Sequence, residues 1–355
     1  MRRLHQASKG GETKMFKRRK ASLLLYVLCM IVFLSAIMVS VFQYASAQLK
    51  IKSSASMLGE LRADAYNALN VAIAGIEEYK FIDGGLYSID QGFGNLLSDR
   101  NFELPSGNTI EITVEDESGK IPLVNMSEEM LIAFFVTMNF DENTAQTLTD
   151  CLLDWTDADS GVRLKGAEDE EYAPGLPNPP NRNLRDYSEL RWIKNFDKYF
   201  FNEDASPNEF YKIFVENISL EEYQFININS ANEFTLKTVY ECNKERYDER
   251  TLDAIKGIGV NVEDGITWLK SFTDLSNRGV NMPTKACACE IALLRINIKV
   301  TRGIAIYHLS AMYGVMPNAS NATTTTTRQR GRGAGAGQTS GAQVLRISEY
   351  TVNCY

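Results

Sequence analysis

The sequence predicts an α+β protein in which a long N-terminal helix precedes strands, a helical block and a closing set of strands. Three observations predict this order. The run Ala21–Ala47 contains no charged side chain. An apolar stripe at steps of three and four continues beyond it. Alternation of the kind that suits a pleated strand occurs twice, on either side of a stretch with helical texture.

The first element follows from length and greasiness. An α-helix over Ala21–Ala47 is about 40 Å long, more than the ~30 Å hydrocarbon core of a bilayer. Leu23, Leu24, Leu25, Val27, Leu28, Ile31, Val32, Phe33 and Leu34 leave it no polar face. The pattern then changes from all-round apolar to one-sided. Leu58, Leu61, Ala65, Leu69, Ala72, Ile76 and Tyr79 share one face of an otherwise polar helix. One continuous helix from about 21 to 79 is expected, half in lipid and half packed on a soluble domain, with Gly84-Gly85 ending it.

Charge sets the orientation. The first 20 residues carry eight Lys or Arg against Glu12 alone, which leaves 29 basic and 44 acidic residues in the rest of the chain. The positive-inside rule keeps such a basic tip in the cytoplasm and sends the remainder across. The basic leader 1–20 and transmembrane helix 21–47 thus root an acidic ectodomain in the membrane, and that charge disfavours nucleic acid as its partner. The alternative is a secretory signal cut near Ala45-Ser46-Ala47, but the apolar run is longer than such signals need.

Further along, Thr109–Val114 alternates as a strand and Glu115–Gly119 supplies a turn. Residues 48–125 thus hold the soluble half of the helix and the first strands, and 126–290 read as an inserted helical domain. Helices are expected at 130–140, 143–155, 188–196, 232–242, 252–258 and 262–275. Residues 291–355 return to strands at 294–300, 304–313 and 343–350, interrupted by a low-complexity linker over 318–341 that cannot bury a core. The six cysteines (Cys29, Cys151, Cys242, Cys287, Cys289, Cys354) form no CxxC pair or zinc spacing, so a metal–thiolate site is not expected.

The acid-rich loop 157–183 is the best place for chemistry. Asp154, Asp157, Asp159, Glu168, Asp169 and Glu170 put many carboxylate oxygens close together, and calcium takes six to eight oxygens in a flexible cage. Gly161 and Val162 break the EF-hand pattern, so this is not an EF-hand. A solvated acidic loop with Asp154 or Asp157 capping a helix is the competing reading.

Several segments resemble protein K, a minor pseudopilin of type II secretion: Glu115–Ile121, Leu153–Asp159, Gly166–Asp169, Ser188–Arg191 and Phe225–Asn232, in that order, with Ser22–Leu28 at the apolar N-terminus. The resemblance implies a type IV pilin-like fold: a protruding N-terminal helix, a small antiparallel sheet and a large all-helical insertion. It implies a subunit that caps or initiates the pseudopilus and acts in export across the outer membrane. Its partners would be other minor pseudopilins of the tip complex, the major pseudopilin and the inner-membrane assembly platform, with its ectodomain in the periplasm. It also implies structural calcium, which the residues Asp154, Asp157, Asp159, Glu168 and Asp169 would hold. If prepilin-type cleavage falls between Lys20 and Ala21, Leu25 occupies the fifth mature position, where most pilin-like subunits carry a glutamate that protein K lacks. Lys20 itself departs from the glycine such peptidases cut after.

Two alternatives stay in view. A minor pilin of a type IV pilus or DNA-uptake system would look much the same. Ile255–Val260 resembles the glycine hairpin of helix-hairpin-helix DNA-binding modules, although few basic residues flank it and close helix packing explains its glycines. An enzyme is not expected, because His5 and His308 are the only histidines and no phosphate loop, nucleophile elbow or metalloprotease pair is present.

Overall fold

The computed structural model describes residues 11–95, 107–173, 175, 177–259, 265–315 and 343–352, and for 11–22, 95 and 125 the backbone alone. A single helix, α1 (Gly11–Asp83), opens the chain. It runs further at both ends than the apolar pattern requires, and Gly84, with φ 75°, stops it in the left-handed region that glycine enters without a Cβ penalty. Leu23–Phe42 face outward along its first half, in a window of mean hydropathy 2.7 with none of it buried. The second half has the expected stripe: Leu61, Ala65, Ala68, Leu69, Ala72 and Ile76 are buried, with Leu58 and Tyr79 partly so.

That stripe lies on a four-stranded antiparallel sheet ordered β1-β6-β7-β8, where β1 is Thr109–Asp116, β6 Leu293–Arg302, β7 Ala305–Gly314 and β8 Gln343–Val352. Alternation decides which side chains meet the helix. Leu294, Ile296, Ile298 and Val300 of β6 and Ala305, Tyr307, Leu309, Ala311 and Tyr313 of β7 are buried against it. Each fully buried aliphatic side chain here contributes about 1.5–3 kcal/mol.

Between β1 and β6 lies a second core. Its helices are α2 (Glu128–Thr137), α3 (Glu142–Thr156), α4 (Phe196–Phe200), α5 (Glu209–Asn217), α6 (Glu233–Cys242), α7 (Thr251–Ile255) and α8 (Phe272–Asn277). Side-chain caps start several of them: Ser127 for α2, Asp141 for α3, Asn208 for α5 and Asn232 for α6 each accept from a backbone N–H of the first turn. Phe134 anchors the core, edge-on to Phe135, Phe214 and Phe234 at 5.4–5.6 Å. Two short parallel pairs, β2 (Ile121–Pro122) with β3 (Ile218–Ser219) and β4 (Ile226–Asn227) with β5 (Cys287–Ala288), tie the block's edges together.

The structure corrects some of the expected elements. The helix read over 188–196 is a 3-10 turn, Tyr187–Trp192, separated from α4 by Asn195 at φ 71°. Of the helix read over 262–275, residues 262–264 lie outside the described residues and the part from 265 holds only α8, which Ser271 caps. Helix α5 was not expected, although Phe210, Ile213 and Phe214 pack into the core at helical spacing. The linker 318–341 and Cys354 lie outside the described residues. Lys20 and Ala21 fall inside the backbone of α1.

Candidate functional site

Two polar constellations stand out, one at the junction of the two cores and one in the acidic loop. The junction is built where β1 ends. Glu117, almost wholly buried, accepts from Arg295 Nε and Nη2 at 3.2 and 3.1 Å and from Ser219 Oγ at 2.8 Å, with Lys120 Nζ 3.4 Å away. Asp116 accepts from Ser118 N at 2.9 Å and from Asn227 Nδ2 at 2.7 Å, and the same Asn227 amide donates to Tyr87 O at 2.8 Å. Burial pushes the Asp116 carboxyl above the usual carboxylate range, against the hydrogen bonds from Ser118, Ser230 and Asn227. Gly119 passes so close to Ser230 that an added Cβ would lie 2.6 Å from its carbonyl oxygen. Sheet, helical block and the end of α1 meet at these residues.

The acidic loop starts at the end of α3. Asp154 is fully buried and accepts from Arg163 N at 3.1 Å and Arg163 Nη1 at 2.6 Å. The same guanidinium nitrogen is paired with Asp157. Burial disfavours that charge, but the hydrogen bonds to Asp157 and Asp154 outweigh it and hold the Arg163 pKa above the ordinary arginine value. A Cβ on Gly166 would come within 1.9 Å of Asp154 Oδ2, so the chain can close over the carboxylate only with glycine there. One turn earlier on α3, Asp150 accepts from Lys165 N at 3.1 Å and Gln146 Nε2 at 2.8 Å.

The remaining expected ligands are placed unevenly. Glu168 is buried, and burial, followed by the charges of Asp154 and Asp157, raises its carboxyl above the usual range. Asp159 is exposed and accepts from Gly161 N at 2.8 Å. Asp169 is exposed, in the 3-10 turn Asp169–Glu171. Among the described residues, no three His, Cys, Asp or Glu side chains converge in metal-ligating geometry. Three buried oxygens of this loop nevertheless have no hydrogen-bond partner: Asp157 Oδ1, Glu168 Oε1 and Asn181 Oδ1. Asn181 belongs to the same loop, since its Nδ2 donates to Asp159 O at 3.0 Å. An all-oxygen donor set with orphaned acceptors fits a hard cation such as calcium. Arg163 supplies the positive charge among these carboxylates.

Sequence reading named the carboxylates but missed Arg163, Gly166 and Asn181. The available signal was a single arginine nine residues after Asp154, inside an otherwise acidic stretch. The glycine hairpin is less informative. Gly257 and Gly259 have positive φ, Ile258 between them is exposed, and 260–264 lie outside the described residues. Among the described cysteines, Cys29, Cys151, Cys242, Cys287 and Cys289 are free thiols, and burial pushes Cys287 up to about 12.

Residues 113–203, from β1 through the acidic loop to α4, match the family model described as type II secretion system (T2SS), protein K. Over this stretch the chain is similar to type II secretion protein K. Protein K of Pseudomonas aeruginosa is 27% identical over 193 residues, which cover 51% of this chain and 54% of that protein. Protein K of Dickeya chrysanthemi is 33% identical over 82 residues, 21% of this chain and 23% of that protein. The matches thus span about half, or less, of the curated relatives' length. Among solved structures, the GspK-GspI-GspJ complex from enterotoxigenic Escherichia coli aligns at 16% identity over 70% of this chain and 82% of that one, with a TM-score of 0.44. The matched stretch contains Asp154, Arg163 and Glu168 of the loop and Asp116 and Glu117 of the junction, whose partners Ser219, Asn227 and Arg295 lie outside it.

Proposed function

We propose that this chain is a minor pseudopilin of a type II secretion system that starts or caps the pseudopilus and so serves protein export across the outer membrane. The observation that carries the reading is the protein K match over 113–203 in a chain whose first helix is bare and apolar for half its length. The mechanism is packing rather than catalysis. The helix leaves lipid for a bundle of similar helices, and the helical block hung on the sheet leaves no room for another subunit above it. Its partners are other minor pseudopilins, the major pseudopilin and the inner-membrane platform. The anchor crosses the inner membrane once, with the basic leader in the cytoplasm and the acidic remainder in the periplasm. Cleavage between Lys20 and Ala21 belongs to the same reading, and mass spectrometry of the mature N-terminus tests it.

Deleting the gene in the bacterium that carries it is the direct test. Loss of secreted enzymes from the medium, restored by the full chain, is expected; undiminished secretion would overturn the reading. A DNA-uptake role would instead appear as lost transformation with secretion intact.

The same reading assigns calcium to the acidic loop. Asp157, Glu168 and Asn181 would supply the orphaned oxygens, with Asp154 and Asp159 beside them. Bound there, the cation would lock the loop against α3 and relieve the crowding of carboxylates around Glu168. Calorimetric titration of the purified chain with calcium should give heat and a rise in melting temperature. Absence of both removes the calcium assignment without touching the rest.

A further inference from the structure

The two edges of the main sheet are finished differently. Along β1 the outward side chains are Thr109, Glu111, Thr113 and Glu115, Glu111 is paired with Lys299 at 3.0 Å, and the 3-10 turns Ile89–Gln91 and Phe93–Asn95 pack beside the strand. Charges and neighbouring turns of this kind blunt an edge. The other edge, β8, is ten residues long and exposed throughout, and shows Val344, Leu345, Ile347, Tyr350 and Val352 with no proline or lysine. Among the described residues nothing lies beyond it. A long exposed edge strand with apolar side chains is a template for another strand.

Direction and charge narrow the occupant. Arg302 is paired with Glu60, and Tyr313 OH with Glu77 at 2.6 Å, so β7 climbs away from the membrane anchor. Antiparallel β8 therefore descends toward it, and an antiparallel newcomer must rise. Arg62, on the helix side of β8, is 58% exposed against 26% for its partner Glu349. Arg346, on the opposite side, is 56% exposed against 17% for its partner Glu221. On both faces the arginine is thus the more exposed member of its ion pair, open to a second carboxylate. A second copy of this chain does not answer that demand: its own β8 also descends, and its rising β1 exposes acids on one face only and has the two 3-10 turns packed beside it.

We propose that β8 receives an extended strand from a different subunit anchored in the same membrane, antiparallel to β8, apolar at alternate positions and acidic on both faces. Resting on the minor-pseudopilin reading, this names the chemistry by which one neighbour is chosen. Backbone hydrogen bonds along the edge supply register, and Arg62 and Arg346 reject strands of like charge.

The test uses the full-length chain co-expressed with the other minor pseudopilins of its organism, purified in detergent, and read by amide hydrogen exchange and by the yield of the complex. In the complex, amides of residues 343–352 should exchange at least tenfold more slowly than in the isolated chain. The double substitution Leu345→Lys/Ile347→Lys should cut the complex yield at least tenfold with the melting temperature of the isolated chain unchanged. The exchange measurement on the unaltered chain stands even if that variant misfolds. A complex that forms with β8 amides as fast as before overturns the strand proposal alone. Protection of β8 in the isolated chain as its concentration rises would overturn it in favour of self-pairing. Failure to form any complex with pseudopilins removes the minor-pseudopilin reading and this proposal together.

Discussion

The helix-on-sheet half and the inserted helical block are held by different physics. Under α1 the contacts are repetitive: one apolar stripe of a helix on one apolar face of a sheet, both fixed by simple periods. The block has no dominant layer. It is a cluster of aromatic rings around Phe134 closed by irregular polar contacts, Glu117 with Arg295 at its base and Arg163 between Asp154 and Asp157 in its loop. Periodic packing tolerates small changes along its length, whereas single-copy contacts fail one at a time. That difference predicts where each half breaks.

The largest effect should come from Phe134→Ala, which opens a cavity among three rings and costs about 3–5 kcal/mol. Hydrogen exchange should show α2, α5 and α6 losing protection while α1 and β6 keep theirs; uniform loss would mean the halves unfold as one. Next comes Glu117→Ala, which leaves Arg295 facing a desolvated junction and should cost about 3 kcal/mol. Its signature is separation of one calorimetric transition into two. Gly166→Ala should cost about 1–3 kcal/mol by forcing a methyl onto Asp154 Oδ2, with local proteolysis of the loop as the readout.

The smallest effect is one of sign. The Glu168 carboxyl is raised in the folded chain, so the native state holds that proton more tightly than the unfolded state does. Its contribution is therefore most favourable below the ordinary glutamate range and is lost as pH rises through the raised value. Glu168→Gln should make the melting temperature less sensitive to pH in this interval and lower the response to calcium. A variant whose pH profile superimposes on the original would refute the assignment.

Legibility in the sequence follows the same division. The stripe Leu58–Tyr79 and the alternation Leu294–Val300 could be read because repetition leaves a period, and the structure has both. The segment over 188–196 could not be told from a helix, because the 3-10 turn Tyr187–Trp192 is too short to show which period it follows. The segments Glu115–Ile121 and Phe225–Asn232 were visible as a resemblance, yet their job is geometric: they hold the junction through Asp116, Glu117 and Asn227. In the loop, the carboxylates announced themselves by charge. Arg163 and Gly166 act through contacts with Asp154 that occur once in the chain, and a contact made once leaves no pattern to read.

One register carries a consequence for how such a chain can be altered. Asp116 stands opposite Leu294, the last matched pair of β1 and β6. The whole block from Glu117 to Leu293 therefore leaves and re-enters the sheet at neighbouring positions, where an ordinary hairpin would need two residues. Replacing it with Asn-Gly should yield a stripped-down anchor-and-sheet protein. Conversely, cargo of almost any size could be mounted at that corner without disturbing the rod beneath.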